Sequence, residues 1–200
     1  MATRAAQGSV RLAMLDAARD LIAEIGYTEM SHADITSAVG IGRTTFYEHF
    51  ASKEAMLVEL VRRDLPPMTD EILDSVDTSL PPADRLFALA DLMVRYVGTD
   101  HIGLILHTEV PRLSPEAQKS ISEAHEGLAS EFAIVYRQGV QDGTFRSIPP
   151  RLAGRMMEQI IMTGGKVVMD SKDPVGEADM IAHQTAVLLV AALRPETLER

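Results

Sequence analysis

The residues best suited to chemistry in this chain are hydrogen-bond donors in one short run, residues 42–49. Arg43 can pair with the O6 and N7 acceptors of guanine or with a phosphate oxygen. Thr44 and Thr45 can donate to either group, and their methyl groups can touch the methyl group of thymine. Gly42 allows the backbone to approach a ligand closely. These residue types predict contact with the major groove of double-stranded DNA.

Such donors need a helix to carry them and a second helix to brace it across the DNA backbone. Residues 32–51 predict this helix-turn-helix arrangement. Ser31 and Asp34 can form a variant of the capping box ahead of the first helix, and Gly40 can supply a turn with positive φ. The apolar seam between the two helices is predicted to consist of Ile35, Val39, Ile41, Phe46 and Phe50. A helical hairpin with a solvated outer face is the alternative interpretation.

Ser52 and Lys53 mark the start of the next helix, where free N–H groups and a positive charge could bind a phosphate. Arg4 and Arg11 could also reach phosphate or the minor groove, although a solvated tail is the simpler interpretation. The chain has a formal net charge of −10, and residues 1–64 hold 7 Lys and Arg against 9 Asp and Glu. Affinity for DNA must therefore come from a few placed donors, helix N-termini and dimerisation, and not from a broad basic surface.

Residues 10–60 resemble the N-terminal domain of TetR-type transcriptional regulators. The segments that carry the resemblance are LDAARDLIAEIGY at 15–27 and TTFYEHFASKEAML at 44–57. The resemblance implies one set of residues that face DNA (Arg43, Thr44, Thr45 and Tyr47) and another that approach its backbone (Ser31, His49 and Lys53). Thr36 and Gly42 depart from the family pattern, which commonly has alanine and a capping serine or threonine at these positions.

Helical periodicity continues beyond this segment. We expect an all-α fold with an N-terminal three-helix domain that contains the helix-turn-helix and a C-terminal helical domain for ligand binding and dimerisation. The expected boundaries are a flexible arm at 1–8, a DNA-binding domain at 9–55 and an effector-binding and dimerisation domain at 56–200. The first helix is expected to begin at Ser9, and Pro66-Pro67 is expected to separate two helices. Residues 101–110 and 115–141 are expected to be helical.

The composition excludes several other classes of protein. The chain contains no cysteine, which excludes disulfide bonds, thiolate nucleophiles and cysteine-bound metals. It shows no secretory signal and no apolar run close to the ~20 residues that a membrane span needs. We therefore expect a soluble, cytoplasmic protein without a membrane partner. Because HExxH, histidine pairs at i, i+4 and a complete phosphate-binding loop are absent from the sequence, we expect no enzyme activity, no metal and no cofactor.

The central helices carry methionine, tyrosine and histidine side chains that suit a pocket for a small ligand. The candidate ligand-binding residues are Met93, Tyr96, His107, His125, Tyr136 and Met162. Ordinary core packing and satisfied structural hydrogen bonds are the alternatives for each of them. Gly164-Gly165 lies inside an apolar helix and predicts either a close helix crossing or a kink beside a cavity.

The last two predicted helices, at 151–170 and 176–193, carry apolar stripes suited to a four-helix core between two subunits. A single recognition helix makes few base contacts, so a two-fold dimer that spans half-sites ~34–36 Å apart is the usual solution. The predicted interface residues are Leu152, Met156, Ile160, Ile181, Leu188, Leu189 and Ala192.

Together these patterns predict a sequence-specific DNA-binding transcriptional regulator. We expect a homodimer that represses by occupying a pseudo-palindromic operator until a small, apolar effector binds. A ligand-binding sensor with little DNA-binding activity is the alternative, and an enzyme is a remote one.

Overall fold

The computed structural model describes residues 2–100, 109–124 and 126–195, with side chains from Gly8 onward within these ranges. All regular secondary structure in the described ranges is helical, as expected. The helices are α1 (Ala2–Ile25), α2 (His32–Val39), α3 (Arg43–His49), α4 (Lys53–Ser75), α5 (Pro82–Thr99), a 3₁₀ helix (Val110–Arg112), α6 (Pro115–Ala124), α7 (Glu126–Gln141), α8 (Pro150–Met169) and α9 (Pro174–Leu193). None of these helices is apolar over enough length to span a bilayer. Most of the helix predicted at 101–110 lies outside the described residues.

The described chain divides into two compact units. The first contains the residues up to Leu65 together with those from 109 to 124, and the second contains the remainder. This division differs from the predicted boundary at residue 55, because α4 contributes to the first unit as far as Leu65. The 3₁₀ helix and α6 also belong to the first unit, where Ala117 and Ile121 are buried.

The N-terminal helix is longer than predicted. The structure places residues 2–8 in α1 rather than in a flexible arm, so the helix does not begin at Ser9. Alanine and arginine favour helix, and no proline separates this segment from the amphipathic part of α1. The helix ends at Ile25, and Gly26 follows it with a φ of 83°.

The expected break at Pro66-Pro67 is wrong, because α4 is continuous through both prolines. A proline inside a helix removes one backbone hydrogen bond and costs about 3 kcal/mol when nothing compensates. Val61, Leu65 and Thr69 are all buried, and their four-residue spacing continues across the proline pair. Packing on both sides of the prolines therefore holds the helix together.

The second unit is built around α5, which packs against α7, α8 and α9. Its core is aliphatic, and Leu86, Leu89 and Val94 of α5 are completely buried. The same core includes Ala182 and Leu189 of α9. Helices α8 and α9 each have one face on this core and the opposite face exposed.

The tandem glycines Gly164 and Gly165 are buried in α8. A Cβ atom on Gly165 would overlap the side chain of Val97 on α5. Reciprocally, a Cβ atom on Gly98 of α5 would lie 2.5 Å from Cβ of Val168 on α8. Of the two interpretations left open by the sequence, the structure therefore shows a close helix crossing.

Candidate functional site

Local hydrogen bonds fix α2 at both ends. The Ser31 hydroxyl accepts from the Asp34 amide at 3.3 Å, and the Asp34 carboxylate accepts from the Ser31 hydroxyl at 2.7 Å and from the Ser31 amide at 2.8 Å. These bonds confirm the predicted capping box and lower the pKa of Asp34. Gly40 ends the helix with a φ of 74°, and the Ile41 amide donates to the Thr36 carbonyl at 3.0 Å. This closure sets the direction in which the chain enters α3.

The predicted seam between α2 and α3 is apolar and closely packed. Its members are buried (Ile35, Phe46 and Phe50) or half-buried (Val39 and Ile41). Thr36, which departs from the family pattern, is also buried, and its hydroxyl donates to the Ala33 carbonyl at 3.1 Å. A threonine therefore fits this crossing without leaving a buried hydroxyl unpaired.

The outer face of α3 carries the predicted donors. The exposed members are Gly42, Arg43, Thr44 and Tyr47, while Thr45 and His49 are half-buried. Glu48 shares the exposed face and was not predicted from the sequence as a contact residue. Its position one helical turn after Thr44 was the signal that could have identified it. A carboxylate there can accept from cytosine N4 and repels phosphate.

Arg43 and Tyr47 contact each other along this face. The guanidinium carbon of Arg43 lies 5.7 Å from the centre of the Tyr47 ring, and Nη2 lies 3.5 Å from the Tyr47 hydroxyl oxygen. His32, in the first turn of α2, also lies beside Tyr47, with its ring centre 5.4 Å from that of Tyr47. His32 was not predicted as a site residue, because a histidine at a helix start has no distinctive spacing.

Arg11 contacts other parts of the protein and does not belong to a solvated tail. Its guanidinium forms a bidentate ion pair with Glu59 of α4, and its Nη1 donates to the carbonyl of His49 at 3.2 Å. It also lies 4.8 Å from the centre of the Phe50 ring. The hydrogen bond to Glu59 raises the pKa of Arg11. Arg11 thus joins α1 and α4 to the end of α3.

The ammonium group of Lys53 is engaged by the protein's own backbone. Nζ donates to the carbonyls of Tyr27, Thr28 and Met30 at 2.8, 3.3 and 2.9 Å. It lies 4.4 Å from the centre of the Tyr27 ring. Burial lowers the pKa of Lys53, and the carboxylate of Glu109 opposes this shift. Contact between this ammonium and phosphate stays a prediction. Such a contact would replace at least one of the three hydrogen bonds to these carbonyls.

Residues after position 108 attach to the same part of the first unit. The Ser114 amide and hydroxyl donate to the Glu54 carboxylate at 3.0 and 2.6 Å, and the Thr28 hydroxyl donates to Glu109 at 3.3 Å. Burial, together with the charges of Glu54 and Glu109, raises the pKa of Tyr27 to about 12. The start of α4 is therefore fixed from two sides, by the end of α1 and by the segment that leads into α6.

The candidate ligand-binding residues fall into two groups. Met93 and Tyr136 belong to the core of the second unit, and Tyr96 and Met162 pack against it. His107 and His125 lie outside the described residues. The Tyr136 hydroxyl accepts from the Ile148 amide at 3.0 Å and lies 3.0 Å from the Arg146 carbonyl, so it fixes the loop before α8. For Tyr136 the structure favours the alternative of a satisfied structural hydrogen bond.

Arg85 is a buried polar residue of the second unit that the sequence did not identify. It is 8% exposed, forms an ion pair with Glu131 of α7 and lies 3.4 Å from Gln138 Oε1. Its partners are far away in the sequence. From the sequence alone, an arginine in the first turn of a helix is therefore expected to be exposed to solvent. The pair connects α5 to α7 inside a largely apolar core.

The exposed faces of α8 and α9 are apolar along one stripe of each helix. The predicted interface residues on them are exposed (Leu152 and Leu188) or half-buried (Met156, Ile160, Ile181 and Ala192). Val167, Met180 and Val187 extend the same exposed apolar surface. The prediction for Leu189 is wrong, because its side chain is 0% exposed and packs into the core of its own subunit.

Helix-turn-helix geometry with donors on the outer face of the second helix defines a DNA-binding protein. The second, helical unit adds a core large enough for a regulatory domain. Two family models match these two parts of the chain: bacterial regulatory proteins of the tetR family at residues 14–60, and the tetracyclin repressor-like C-terminal domain at residues 79–162. The chain belongs to the TetR family and is a DNA-binding transcriptional regulator.

Particular relatives support this assignment. The HTH-type transcriptional repressor KstR2 of Rhodococcus jostii is 30% identical over 171 residues, which cover 80% of this chain and 84% of that protein. The structure of the regulator FadR from Bacillus subtilis with stearoyl-CoA has a TM-score of 0.74 at 21% identity, over 92% of this chain and 99% of FadR. The structure of AibR with isovaleryl coenzyme A and operator DNA has a TM-score of 0.73 at 21% identity, over 93% of this chain and 98% of AibR. These two structures share the fold.

Proposed function

We propose that this chain is a homodimeric repressor that binds a pseudo-palindromic operator and is released by a small, apolar effector. The observation that carries the proposal is the exposed row of Arg43, Thr44 and Tyr47 on a helix whose opposite side is locked into an apolar seam. A helix held in this way can enter the major groove without losing its own packing. The relative KstR2, named as a repressor, supports the direction of regulation. Because its partner would be chromosomal DNA, we place the protein in the cytoplasm.

Each predicted DNA-contacting residue has a proposed part in this interface. The residues proposed to face the bases are Gly42, Arg43, Thr44, Thr45 and Tyr47, and those proposed to lie beside the DNA backbone are Ser31, His49 and Lys53. At Lys53 we assign the contact to the backbone N–H at the start of α4 instead of the ammonium. The Ser31 hydroxyl already donates its hydrogen to Asp34, so its contact with phosphate would be through a water molecule that donates both to the second lone pair of the hydroxyl and to a phosphate oxygen.

A substitution at Arg43 tests the interface directly. Arg43→Ala should weaken operator binding by about 10- to 100-fold, the loss expected for one bidentate base contact, and should relax base preference at one position of each half-site. Arg137→Ala is the matched control, since it removes the same charge from an exposed site on α7. The measurement is a fluorescence-anisotropy titration against sites selected from a randomised pool.

The titration also separates this proposal from its alternative. A ligand-binding sensor with little DNA-binding activity would select no sequence from the pool and would not bind the DNA upstream of its own gene. Equal affinity of wild type, Arg43→Ala and Arg137→Ala for one selected site would show that the assigned face is wrong. The proposal also assigns the protein a regulatory role instead of an enzymatic one.

The effector is proposed to bind among α5, α7 and α8, where Met93, Tyr96 and Met162 adjoin an aliphatic core. FadR and AibR were crystallised with coenzyme A thioesters, so thioesters are the first class to test. Stearoyl-CoA and isovaleryl-CoA should release the protein from DNA, whereas free coenzyme A, which lacks the acyl group, should not. Native mass spectrometry of the purified protein tests independently for a retained ligand.

A further inference from the structure

His32 occupies an unusual environment in the first turn of α2. Its ring contacts Phe46 edge-on, with ring centres 4.6 Å apart and planes at 89°. The same ring lies against Tyr47 in a tilted arrangement, with ring centres 5.4 Å apart and planes at 31°. Phe46 is completely buried and Tyr47 is 45% exposed. His32 therefore lies between the seam of the helix-turn-helix and the outer face of α3.

Tyr47 connects His32 to the residue proposed to read bases. The His32 ring contacts the Tyr47 ring, and the guanidinium carbon of Arg43 lies 5.7 Å from the centre of the Tyr47 ring. Rings in such contacts restrict each other's rotation, and a cation over a ring is attracted to the face of that ring. A change at His32 would therefore alter where Tyr47 and Arg43 point.

The surroundings of His32 favour an uncharged ring. Its Nε2 atom is buried and has no hydrogen-bond partner among the described residues. Arg43 of α3 and Lys53 of α4 both place positive charge near it. On its own helix, the Asp34 carboxylate is directed to Ser31. Burial, Arg43 and Lys53 lower the pKa of His32 in that order.

We propose that His32 is a positioning residue for DNA recognition, whose neutral ring holds Tyr47, and through it Arg43, in the orientation that reads the operator. The inference rests on the proposed role of Arg43 and Tyr47 at the bases. Protonation would bury an N–H without an acceptor and add a positive charge beside Arg43. Sequence discrimination by this regulator should therefore fall in acid, before general affinity for DNA is lost.

The sign of the pH effect follows from the lowered pKa. The unfolded chain takes up a proton near the ordinary histidine value of 6.5, while the folded unit resists it. The stabilisation from neutral His32 is thus present above pH 6.5 and is lost as the pH falls through the lowered, folded-state pKa.

The experiment compares wild type with His32→Phe, His32→Ala and Arg43→Ala. Affinities for operator and for a scrambled duplex are measured between about pH 8 and pH 5.5, with circular dichroism confirming a folded protein at each point. The wild-type ratio of the two affinities should fall towards pH 5.5, but by less than the ~10-fold that a histidine with the ordinary pKa of 6.5 would give there, because the pKa of His32 is lowered. His32→Phe keeps a ring that cannot be protonated, so its ratio should stay close to the wild-type value at pH 8 and remain flat.

His32→Ala removes the ring, and its ratio should be about tenfold lower at every pH with little change for scrambled DNA. All titratable groups other than residue 32 are the same in wild type and His32→Phe, so the difference between these two proteins isolates His32. The inference is overturned if His32→Ala keeps the wild-type ratio, if His32→Phe keeps the wild-type pH slope, or if His32→Phe weakens binding to both duplexes equally. If Arg43→Ala itself leaves the ratio unchanged, the proposed DNA-reading face is wrong rather than the role of His32 alone.

Discussion

Two cations near the recognition helix, Arg11 and Lys53, bind groups of the protein itself. Arg11 pairs with Glu59, and Lys53 donates to three backbone carbonyls. Neither charge is therefore simply available to phosphate, in a unit where acids already outnumber bases. In the proposed interface, recognition therefore depends on few positions, so the orientation of Arg43 is expected to have a large effect.

A substitution at Lys53 separates its structural contacts from any contact with DNA. Lys53→Met keeps the aliphatic stem but removes three charge-assisted hydrogen bonds, so we expect the free energy of unfolding to fall by about 1–3 kcal/mol. The slope of log affinity against log salt should stay unchanged, because the ammonium does not release a counterion from DNA. Urea denaturation and salt titrations of operator binding measure the two quantities.

Lys119→Met is the matched control, since the Lys119 side chain is 79% exposed on α6 and its nearest charged partner is Glu123 at 3.9 Å. It should change neither quantity measurably. If Lys53→Met has wild-type stability and its salt slope is lower by about 1, the ammonium of Lys53 contacts phosphate in the wild type and the present assignment is wrong.

At the scale of the elements, α5 and α8 cross closely. Gly165 of α8 and Gly98 of α5 lack a Cβ atom, and the side chains of Val97 and Val168 occupy the space that these two atoms would fill. The exposed stripe on the opposite side of α8 is apolar, so the helix is constrained by the core and is suited to a partner as well.

The crossing can be tested with two alanine substitutions in the same helix. Gly165→Ala should destabilise the protein by about 1–3 kcal/mol, because its Cβ atom would overlap Val97. Gly154→Ala should be neutral or stabilising by up to about 1 kcal/mol, since no neighbouring side chain lies within 4 Å of the position that its Cβ atom would occupy and alanine favours helix. Chemical denaturation provides both values. Equal effects of the two substitutions would mean that the close crossing is absent in solution.

At the scale of the whole molecule, the exposed apolar stripe of α8 and α9 needs a partner. Leu188 is 65% exposed, and Met180, which is 60% exposed, lies about two turns earlier on the same exposed side of α9. Large apolar side chains clustered on the surface mark an interface more often than a solvated face. A two-fold dimer would cover this stripe and would place two copies of α3 for two half-sites.

Leu188→Glu tests the proposed dimer. A buried carboxylate in each subunit should shift the wild-type dimer to monomer and weaken operator binding by at least about tenfold. Val175→Glu is the control, because Val175 is 82% exposed on the same helix but lies roughly 140° around it from Met180. Sedimentation velocity measures the mass. A Leu188→Glu protein that remains dimeric, or a monomeric wild type, would contradict the assignment.

The helix-turn-helix could be predicted from sequence because its signals are local. The capping box of Ser31 and Asp34, the turn at Gly40 and the buried Phe46 each depend on neighbours within a few residues, and the structure confirms all of them. The continuity of α4 could not be predicted in this way. A proline pair is a strong local breaker, and only packing from distant segments outweighs it.

The sequence by itself therefore determined the all-α class, the recognition segment and the family, because periodicity, caps and turn glycines are encoded at short range. Tertiary structure alone decided which polar groups remain available. It engaged Arg11 with Glu59 and Lys53 with the carbonyls after α1, buried Leu189 in its own subunit and brought His32 against Tyr47. These outcomes depend on contacts between residues that are far apart in the sequence or on different helices. An unpaired buried polar group costs free energy, so the folded state favours arrangements in which such groups find a partner.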